Sequence, residues 1–212
     1  MLTLVVQFFL GLIYANPGEW LAHKYILHAL GKKRQSFWAY HLHEHHAVCI
    51  SHSMLDPGYR KLTLTTWNTQ SKEMLVLAGF VLLHAPIFLI FPLFTSAVYA
   101  SLALYYYKHR KAHLDPVWAR RHLRWHYEHH LGGNICANWC VTWPWFDYLM
   151  GTRFTSKTQD WSALTSLINV LEIHGLDKYP DQGIDALDCY VTFWCNTQKK
   201  PREGNISLER KI

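Results

Sequence analysis

The feature that most constrains the fold is an uncharged run of 34 residues, from Met74 to Tyr107. As one helix it would be about 51 Å long, too long for a single crossing of about 30 Å of hydrocarbon and slightly short for two full crossings. Pro86 and Pro92 interrupt the run, and proline kinks or ends a helix because it lacks the backbone N–H. The run therefore predicts a tight helical hairpin in a membrane, bent near Phe91 and Pro92, with both ends on one side.

A second apolar segment begins the chain. It has neither the basic start nor the small-residue cleavage site of a secretory signal, and it carries a single charge up to Ala22. We interpret it as a retained membrane span from about Leu2 to Ala22. Asn16 and Pro17 are expected to cap and restart the helix, which then continues past the membrane face and ends at Gly31.

The basic residues lie beside the ends of these apolar segments, although the chain as a whole carries a net charge of +6. This placement follows the positive-inside rule and argues against nucleic acid as a partner. One N-terminal crossing followed by a hairpin puts these residues on the cytoplasmic side of a bacterial inner membrane or of the endoplasmic reticulum. They are Lys24, Lys32, Lys33, Arg34, Lys72, Lys108, Arg110, Lys111, Arg120, Arg121 and Arg124.

Ten histidines form four spaced boxes, all at the ends of the apolar segments. Imidazole is the commonest neutral ligand for mid-row transition metals, and ten are too many for one ion. The boxes predict an all-α integral membrane protein, with an N-terminal span, a helical hairpin and a cytosolic-side helical cap that carries a dimetal site. The predicted ligands are His23, His28, His41, His45, His46, His109, His113, His126, His129 and His130.

The spacing within each box predicts which ligands point the same way on an α-helix. Residues four apart lie about 40° from each other and share a face. His41 and His45 are therefore expected to share a face, as are the histidines of the third and fourth boxes. His23 and His28 are five apart, about 140° around the helix, so they are expected to reach different ions. His46 is likewise expected to turn away from His41.

The same geometry favours His41 over His43 as the second-box ligand. The alternative is that the helix unwinds near Glu44 and lets His43 turn inward as the ligand. Carboxylates near the boxes are expected to orient imidazoles through their free N–H groups. His84, inside the hairpin, is expected to hydrogen-bond between helices. The residues predicted to support the ligands are Glu19, His43, Glu44, His122, Glu128 and Asp147.

The type of ligand favours iron. Thiolate sites need cysteine pairs, and soluble di-iron bundles use a Glu-x-x-His motif; both are absent around the boxes. A hydrolytic zinc site needs about three protein ligands and a general base. All-imidazole ligation of a metal pair instead fits two non-haem irons that bind and reduce dioxygen, with zinc as an adventitious substitute.

The four boxes, in this order and separated by a hairpin after the second, resemble those of the fatty acid hydroxylase/sterol desaturase superfamily of membrane di-iron oxygenases. Residues 144–152 resemble the family's Pro-x-Trp-Asp-x-x-Phe-Gly-Thr stretch, with Phe146 and Met150 replacing the usual aromatics. The resemblance covers about residues 17–153. It implies iron ligation by the ten box histidines and hydroxylation of a lipid C–H bond, with dioxygen and two electrons from a separate donor. A b-type cytochrome or a ferredoxin system would be that donor.

Alternatives follow from the same residues. Residues 19–28 look similar to the first box of carotenoid ring hydroxylases, whereas the third and fourth boxes look more like those of fatty-acyl hydroxylases. A carotenoid ring hydroxylase and a sterol or lipid desaturase are therefore alternatives. A histidine-rich metal transporter would need ionisable residues within its spans, where only His84 qualifies. The oxygenase domain is predicted at residues 1–153, followed by a polar C-terminal extension at residues 154–212.

Overall fold

The computed structural model describes residues 2–61 and 65–156. Every regular element in this part of the chain is helical, which confirms the predicted all-α class. Residues 157–212, which hold most of the predicted C-terminal extension, lie outside the described residues. The elements are α1 (Leu2–Leu21), a first π-helix (Ala22–Leu30), a second π-helix (Tyr40–His45), α2 (His46–Ser51), a 3₁₀ turn (Pro57–Arg60), α3 (Thr69–Phe88), α4 (Pro92–Leu114), α5 (Pro116–His122), α6 (Arg124–Leu131) and α7 (Trp145–Leu149).

The predicted hairpin consists of α3 and α4. Asn68 caps α3, because its side chain accepts the backbone N–H of Ser71 while the Ser71 hydroxyl accepts the backbone N–H of Asn68. α3 ends at Phe88 and α4 begins at Pro92, whose missing N–H costs nothing at the first helical position. The bend therefore falls where the sequence predicted it.

Helix α1 packs closely along α4. Gly11 permits this approach: a Cβ atom added there would clash with the Phe94 carbonyl and lie 2.8 Å from the Cβ of Ala97. The contact brings α1 against the C-terminal arm of the hairpin. The three long helices together form the platform beneath the histidine boxes.

The predicted cap and restart at Asn16 is wrong, since α1 runs without interruption through Pro17. The Asn16 side chain instead donates hydrogen bonds to the Thr142 hydroxyl and the Trp143 carbonyl. These partners lie far along the chain and satisfy the side chain that would otherwise cap a helix. Asn16 therefore ties α1 to the segment before α7.

The long helices expose much of their apolar surface. Among the described residues, α3 is the one helix that is long and apolar enough to cross a membrane, and only 17% of its most apolar stretch is buried. Phe9 on α1 is 57% exposed, Leu82 on α3 is 73% exposed, and Leu89 in the hairpin bend is 86% exposed. Crossing by α1 and α4, and the side of the membrane on which the boxes lie, stay predictions.

Residues 112–130 are divided among the end of α4, α5 and α6 and do not form a single helix. Asp115 ends α4 and caps α5, where its side chain accepts the backbone N–H of Trp118. A second break comes at Leu123, which is 1% exposed and packs in a core with Met54. The breaks turn α5 and α6 back over the end of the hairpin and so bring the fourth box to the other three.

Candidate metal centre

Nine of the ten box histidines form two buried groups. Within each group the ligand nitrogens lie within 4.8 Å of one another, and every member is less than 5% exposed. Two buried histidine clusters able to hold metal ions are therefore present in the described part of the chain. Cluster A consists of His23, His28, His41, His46 and His129, and cluster B consists of His45, His109, His113 and His130.

The π-helices explain the composition of cluster A. In a π-helix each N–H bonds to the carbonyl five residues earlier, so residues five apart lie above one another. The backbone N–H of His46 donates to the carbonyl of His41, and both side chains belong to cluster A. The prediction that His46 turns away from His41 is wrong, because it assumed α-helical spacing.

The first box departs from the prediction in the same way. His23 and His28 share cluster A, with ring centroids 5.0 Å apart, although α-helical spacing sends them to different ions. Conversely, His41 and His45 are four apart and were expected to share a face, but they fall into different clusters. The adjacent His45 and His46 therefore face cluster B and cluster A, respectively.

The third and fourth boxes lie on regular α-helices. On α4, His109 and His113 share cluster B as predicted, and their Nε2 atoms are 3.2 Å apart. On α6, His129 joins cluster A while His130 joins cluster B. His126 lies beside cluster B, with its Nε2 atom 3.1 Å from that of His113. A short helix can thus serve both clusters with neighbouring residues.

The donor set fits metal ions. Nε2 atoms of His23 and His41 lie 2.9 Å apart, close to the roughly 3.0 Å between two nitrogens at right angles that are each about 2.1 Å from one ion. A buried nitrogen without a partner costs free energy, and a metal ion would satisfy its lone pair. Eight histidine nitrogens are in this position within the described residues, and four of them are Nε2 atoms of clustered residues: those of His28, His46, His129 and His130.

The electrostatic environment of cluster A favours neutral imidazoles. Burial, together with repulsion between neighbouring rings, lowers the pKa of His28, His41 and His46 well below its ordinary value. Burial lowers the pKa of His129 to about 4, although its bond to a backbone carbonyl acts in the opposite direction. Neutral imidazoles keep a lone pair on one nitrogen, and metal ligation requires that lone pair.

Backbone carbonyls orient cluster A. The Nδ1 atom of His23 donates to the Trp139 carbonyl, and that of His129 donates to the Ala137 carbonyl at 2.7 Å. Asp147 fixes this loop, because its carboxylate accepts two successive backbone N–H groups at 2.9 Å, the first from Trp139. Asp147, a predicted supporting residue, therefore acts on His23 through the loop that carries its acceptor.

Carboxylates flank cluster B. A carboxylate oxygen of Glu73 lies 2.7 Å from the Nδ1 atom of His109, and one of Asp56 lies 3.3 Å from the Nδ1 atom of His45. The Tyr59 hydroxyl donates to Glu73 at 2.6 Å. Sequence reasoning missed both carboxylates. The one signal for Glu73 in the sequence is its place as the last charge before the apolar run.

The glutamates that were expected to orient imidazoles do not contact them. Glu19 accepts the backbone N–H and the hydroxyl of Thr142, and so fastens α1 to the loop before α7. Glu44 keeps half of its side chain exposed and pairs with Lys72 at 2.7 Å. Glu128 pairs with two arginines. These glutamates are close to the boxes in sequence, but their side chains bind a loop residue, a lysine and two arginines instead of the imidazoles.

The remaining predicted supporting residues lie outside both clusters. His43 is buried, and its Nε2 atom lies 3.3 Å from the backbone carbonyl of Lys32. His122 is exposed and stacks on Trp118. His122 is four residues before His126, a spacing that would put both on one face of a continuous helix. The break at Leu123 places them on different helices, so His122 does not reach the clusters.

An apolar cavity of about 570 Å³ lies between α1, α3 and α4 and reaches cluster A at His23. At the cluster end its wall includes His23, Glu73 and Tyr105, and deeper between the long helices it includes Tyr14 and His84. The wall between these ends is mostly aliphatic. The volume and the apolar lining are typical of a small-molecule binding site.

Comparisons of the chain with protein-family models, with curated proteins and with solved structures give no match. The resemblance to the fatty acid hydroxylase/sterol desaturase superfamily therefore rests on the histidine boxes and on residues 144–152. In that stretch the structure gives Asp147 a definite position behind the loop that orients cluster A.

Proposed function

We propose that the protein is a membrane-bound non-haem di-iron oxygenase that hydroxylates a C–H bond of a lipid, either a fatty-acyl chain or a related lipid. One observation carries the proposal: two buried clusters of imidazoles lie together, and one of them, cluster A, meets one end of a large apolar cavity at His23. The cavity brings an apolar chain to the clusters. The clusters supply the ligands for a metal pair.

The ligand chemistry supports iron. Two irons held by neutral imidazoles would supply redox chemistry with dioxygen, which zinc cannot because it has no accessible second oxidation state. The reaction consumes one C–H bond, one dioxygen, two electrons and two protons, and it yields one alcohol and one water. A separate protein must supply the electrons. An acidic b-type cytochrome or ferredoxin would complement the basic segment at residues 32–34.

The chain's own groups position the reactants and exclude water. The box histidines are nearly inaccessible to solvent, with His45, His46 and His113 at 0% exposure. Glu73 and Tyr105, which both contact His109 of cluster B, line the cavity together with His23 of cluster A. An apolar chain in the cavity would therefore present its C–H bonds beside His23, shielded from bulk water.

The geometry disfavours a zinc hydrolase. A hydrolytic zinc site uses three protein ligands and a free general base. Here nine imidazoles converge, and the two nearby carboxylates are already engaged, Asp56 with His45, and Glu73 with Tyr59 and His109. This arrangement provides ligands for two ions and no uncommitted carboxylate base.

The proposed topology has three crossings, by α1, α3 and α4, with the clusters on the cytoplasmic side. The exposed apolar surface of these helices and the basic residues at their cluster-side ends support it. Reporter fusions at the two termini test it: we expect the N-terminus outside and the C-terminus inside the cytoplasm. Both termini in one compartment would contradict the three-crossing arrangement.

The activity is tested with the full chain, purified in lipid discs and loaded with either iron or zinc. With a ferredoxin system, ¹⁸O-labelled dioxygen and extracted cell lipids, we expect the iron form to insert one labelled oxygen per product. The zinc form should insert none. Comparison of lipids from cells with and without the gene then identifies the substrate. Hydrolysis by the zinc form, without oxygen insertion by the iron form, would refute the oxygenase.

A further inference from the structure

A hydrogen-bonded pair lies deep in the cavity, away from the clusters. The Tyr14 hydroxyl of α1 is 3.2 Å from the Nε2 atom of His84 on α3, and both side chains line the cavity wall. His84 is 6% exposed. Polar side chains at this depth of a membrane helix are costly and usually functional. A bond between two helices accounts for part of this arrangement, but not for its place on the cavity wall.

The protons of the pair can be assigned. The Nδ1 atom of His84 lies 2.8 Å from the Phe80 carbonyl, which can only accept, so Nδ1 carries the proton. In the neutral ring Nε2 is then an acceptor, and the Tyr14 hydroxyl donates to it. The Tyr14 oxygen keeps its lone pairs. The pair can therefore accept a further hydrogen bond from the cavity and has no proton left to donate.

The distance from this pair to the clusters sets the length of the carbon chain that can span between them. Glu73 and His84 are eleven residues apart on α3, which corresponds to about 16 Å along the helix. An extended carbon chain advances about 1.25 Å per carbon, from C–C bonds of about 1.5 Å at near-tetrahedral angles. Roughly 13 carbons therefore span from the clusters to the pair.

We propose that Tyr14 and His84 form a hydroxyl-binding subsite, which accepts a hydrogen bond from an alcohol group roughly 13 carbons from the reacting position of the lipid. The preferred substrate is then a lipid that already carries a hydroxyl group, and an earlier hydroxylation or reduction must supply it. This inference rests on the proposed oxygenase function, in which the cavity binds the lipid. It adds that the end of the lipid remote from the clusters carries a hydroxyl group.

The test compares two probes of similar length, dodecanol and dodecyl methyl ether. Both have an oxygen that accepts hydrogen bonds, but only the alcohol donates. Dissociation constants for the full chain in lipid discs can be followed by tryptophan fluorescence, because Trp38 and Trp143 line the cavity. We expect the alcohol to bind roughly threefold to tenfold more tightly than the ether, the effect of one net hydrogen bond.

Variants separate a subsite from a simple bond between helices. Tyr14→Phe alone leaves the Nε2 atom of His84 free to accept a hydrogen bond from the alcohol, so the double variant Tyr14→Phe/His84→Phe is the one that should remove the preference. His84→Phe frees the Tyr14 proton for donation, so the ether should then bind about as well as the alcohol. Tyr99→Phe is the matched control, because its hydroxyl also joins two helices, at 2.9 Å to the Val81 carbonyl, but Tyr99 does not line the cavity. It should keep the preference.

Equal binding of the two probes by the native chain would overturn the subsite, as would a preference that survives the double variant. The binding assay needs no turnover, so it is independent of the oxygenase test. Oxygen insertion without any preference for the alcohol would refute the subsite alone. A preference that depends on the Tyr14 and His84 pair, in a protein that never inserts oxygen, would refute the oxygenase alone.

Discussion

Clusters A and B differ in the groups that face the Nδ1 atoms of their imidazoles. In cluster A the Nδ1 atoms of His23 and His129 face backbone carbonyls, which are neutral. In cluster B those of His45 and His109 face the carboxylates of Asp56 and Glu73. A carboxylate that accepts a hydrogen bond from one ring nitrogen makes the other nitrogen a stronger electron-pair donor to a metal ion. The two ions of the proposed pair would therefore be unequal, with the higher affinity in cluster B.

The clusters also differ in the backbone that carries them. Cluster A takes four of its five histidines from the two π-helices and the residue that follows the second. Cluster B takes His109 and His113 from the regular helix α4 and His130 from the regular helix α6, and only His45 from a π-helix. Cluster A thus depends mainly on the π-helical hydrogen-bond pattern and on a loop, whereas cluster B depends mainly on regular α-helices and two carboxylates.

Loss of one ligand should give the largest effect. His129→Ala removes a ligand from cluster A and His113→Ala removes one from cluster B. Each variant should retain one of two irons and lose activity by at least about 100-fold, since even the partners of ligands are worth 10-fold to 100-fold. Metal analysis of the purified variants measures this. His52→Ala, at an exposed site, is the control, and loss of iron from it would undermine the assignment of clusters.

Glu73→Gln should act on cluster B alone. It keeps the shape of the side chain and its contact with Tyr59 but removes the charge beside His109. We expect metal affinity to fall about 10-fold to 100-fold in cluster B, with cluster A unchanged. Titration of the metal-free protein with iron, followed site by site, shows the split. Glu44→Gln is the matched control because Glu44 contacts neither cluster, and an equal loss in both clusters would end the distinction.

Asp147→Asn is the counterpart for cluster A and should have a smaller effect. The amide can still accept one backbone N–H but not both, so the loop that carries the Trp139 carbonyl loosens behind His23. We expect metal affinity to fall about 10-fold in cluster A, at the lower end of the range for partners of ligands. The same titration detects it, and a loss confined to cluster B would reverse our assignment.

His43→Ala should have the smallest effect. His43 lies outside both clusters, whereas its neighbour His41 belongs to cluster A. The His43 variant should keep both irons, with affinities within about twofold of the native chain, while His41→Ala loses the iron of cluster A. If the iron followed His43 and not His41, the second π-helix would have to adopt a different register in the loaded protein.

The hairpin and the gathering of the boxes could be predicted from the sequence. Both follow from local properties: an uncharged run of fixed length, two prolines, and histidines at the polar ends of apolar segments. The bend between Phe88 and Pro92 needs no information from distant residues. His41 lies in cluster A and His43 lies in neither cluster, whereas the shared face expected for His41 and His45 is wrong. Ligation by His41 stays a prediction.

The assignment of faces could not be predicted because spacing does not fix the hydrogen-bond register. A five-residue interval puts His23 and His28 on different faces of an α-helix and on one face of a π-helix. Burial of five imidazoles together selects the second. The role of Glu73 was missed for a related reason, since its contact with His109 joins opposite arms of the hairpin and exists only after the hairpin closes.

Both clusters receive their last ligand from α6, His129 for cluster A and His130 for cluster B. A ribosome releases these residues only after α1 and the whole hairpin have been synthesised. Neither site is complete until α6 has emerged, so iron loading would follow the synthesis of α1 and of the hairpin. A chain that stopped before α6 would still carry every predicted membrane helix, and a cell could recognise it as unfinished by its failure to retain metal.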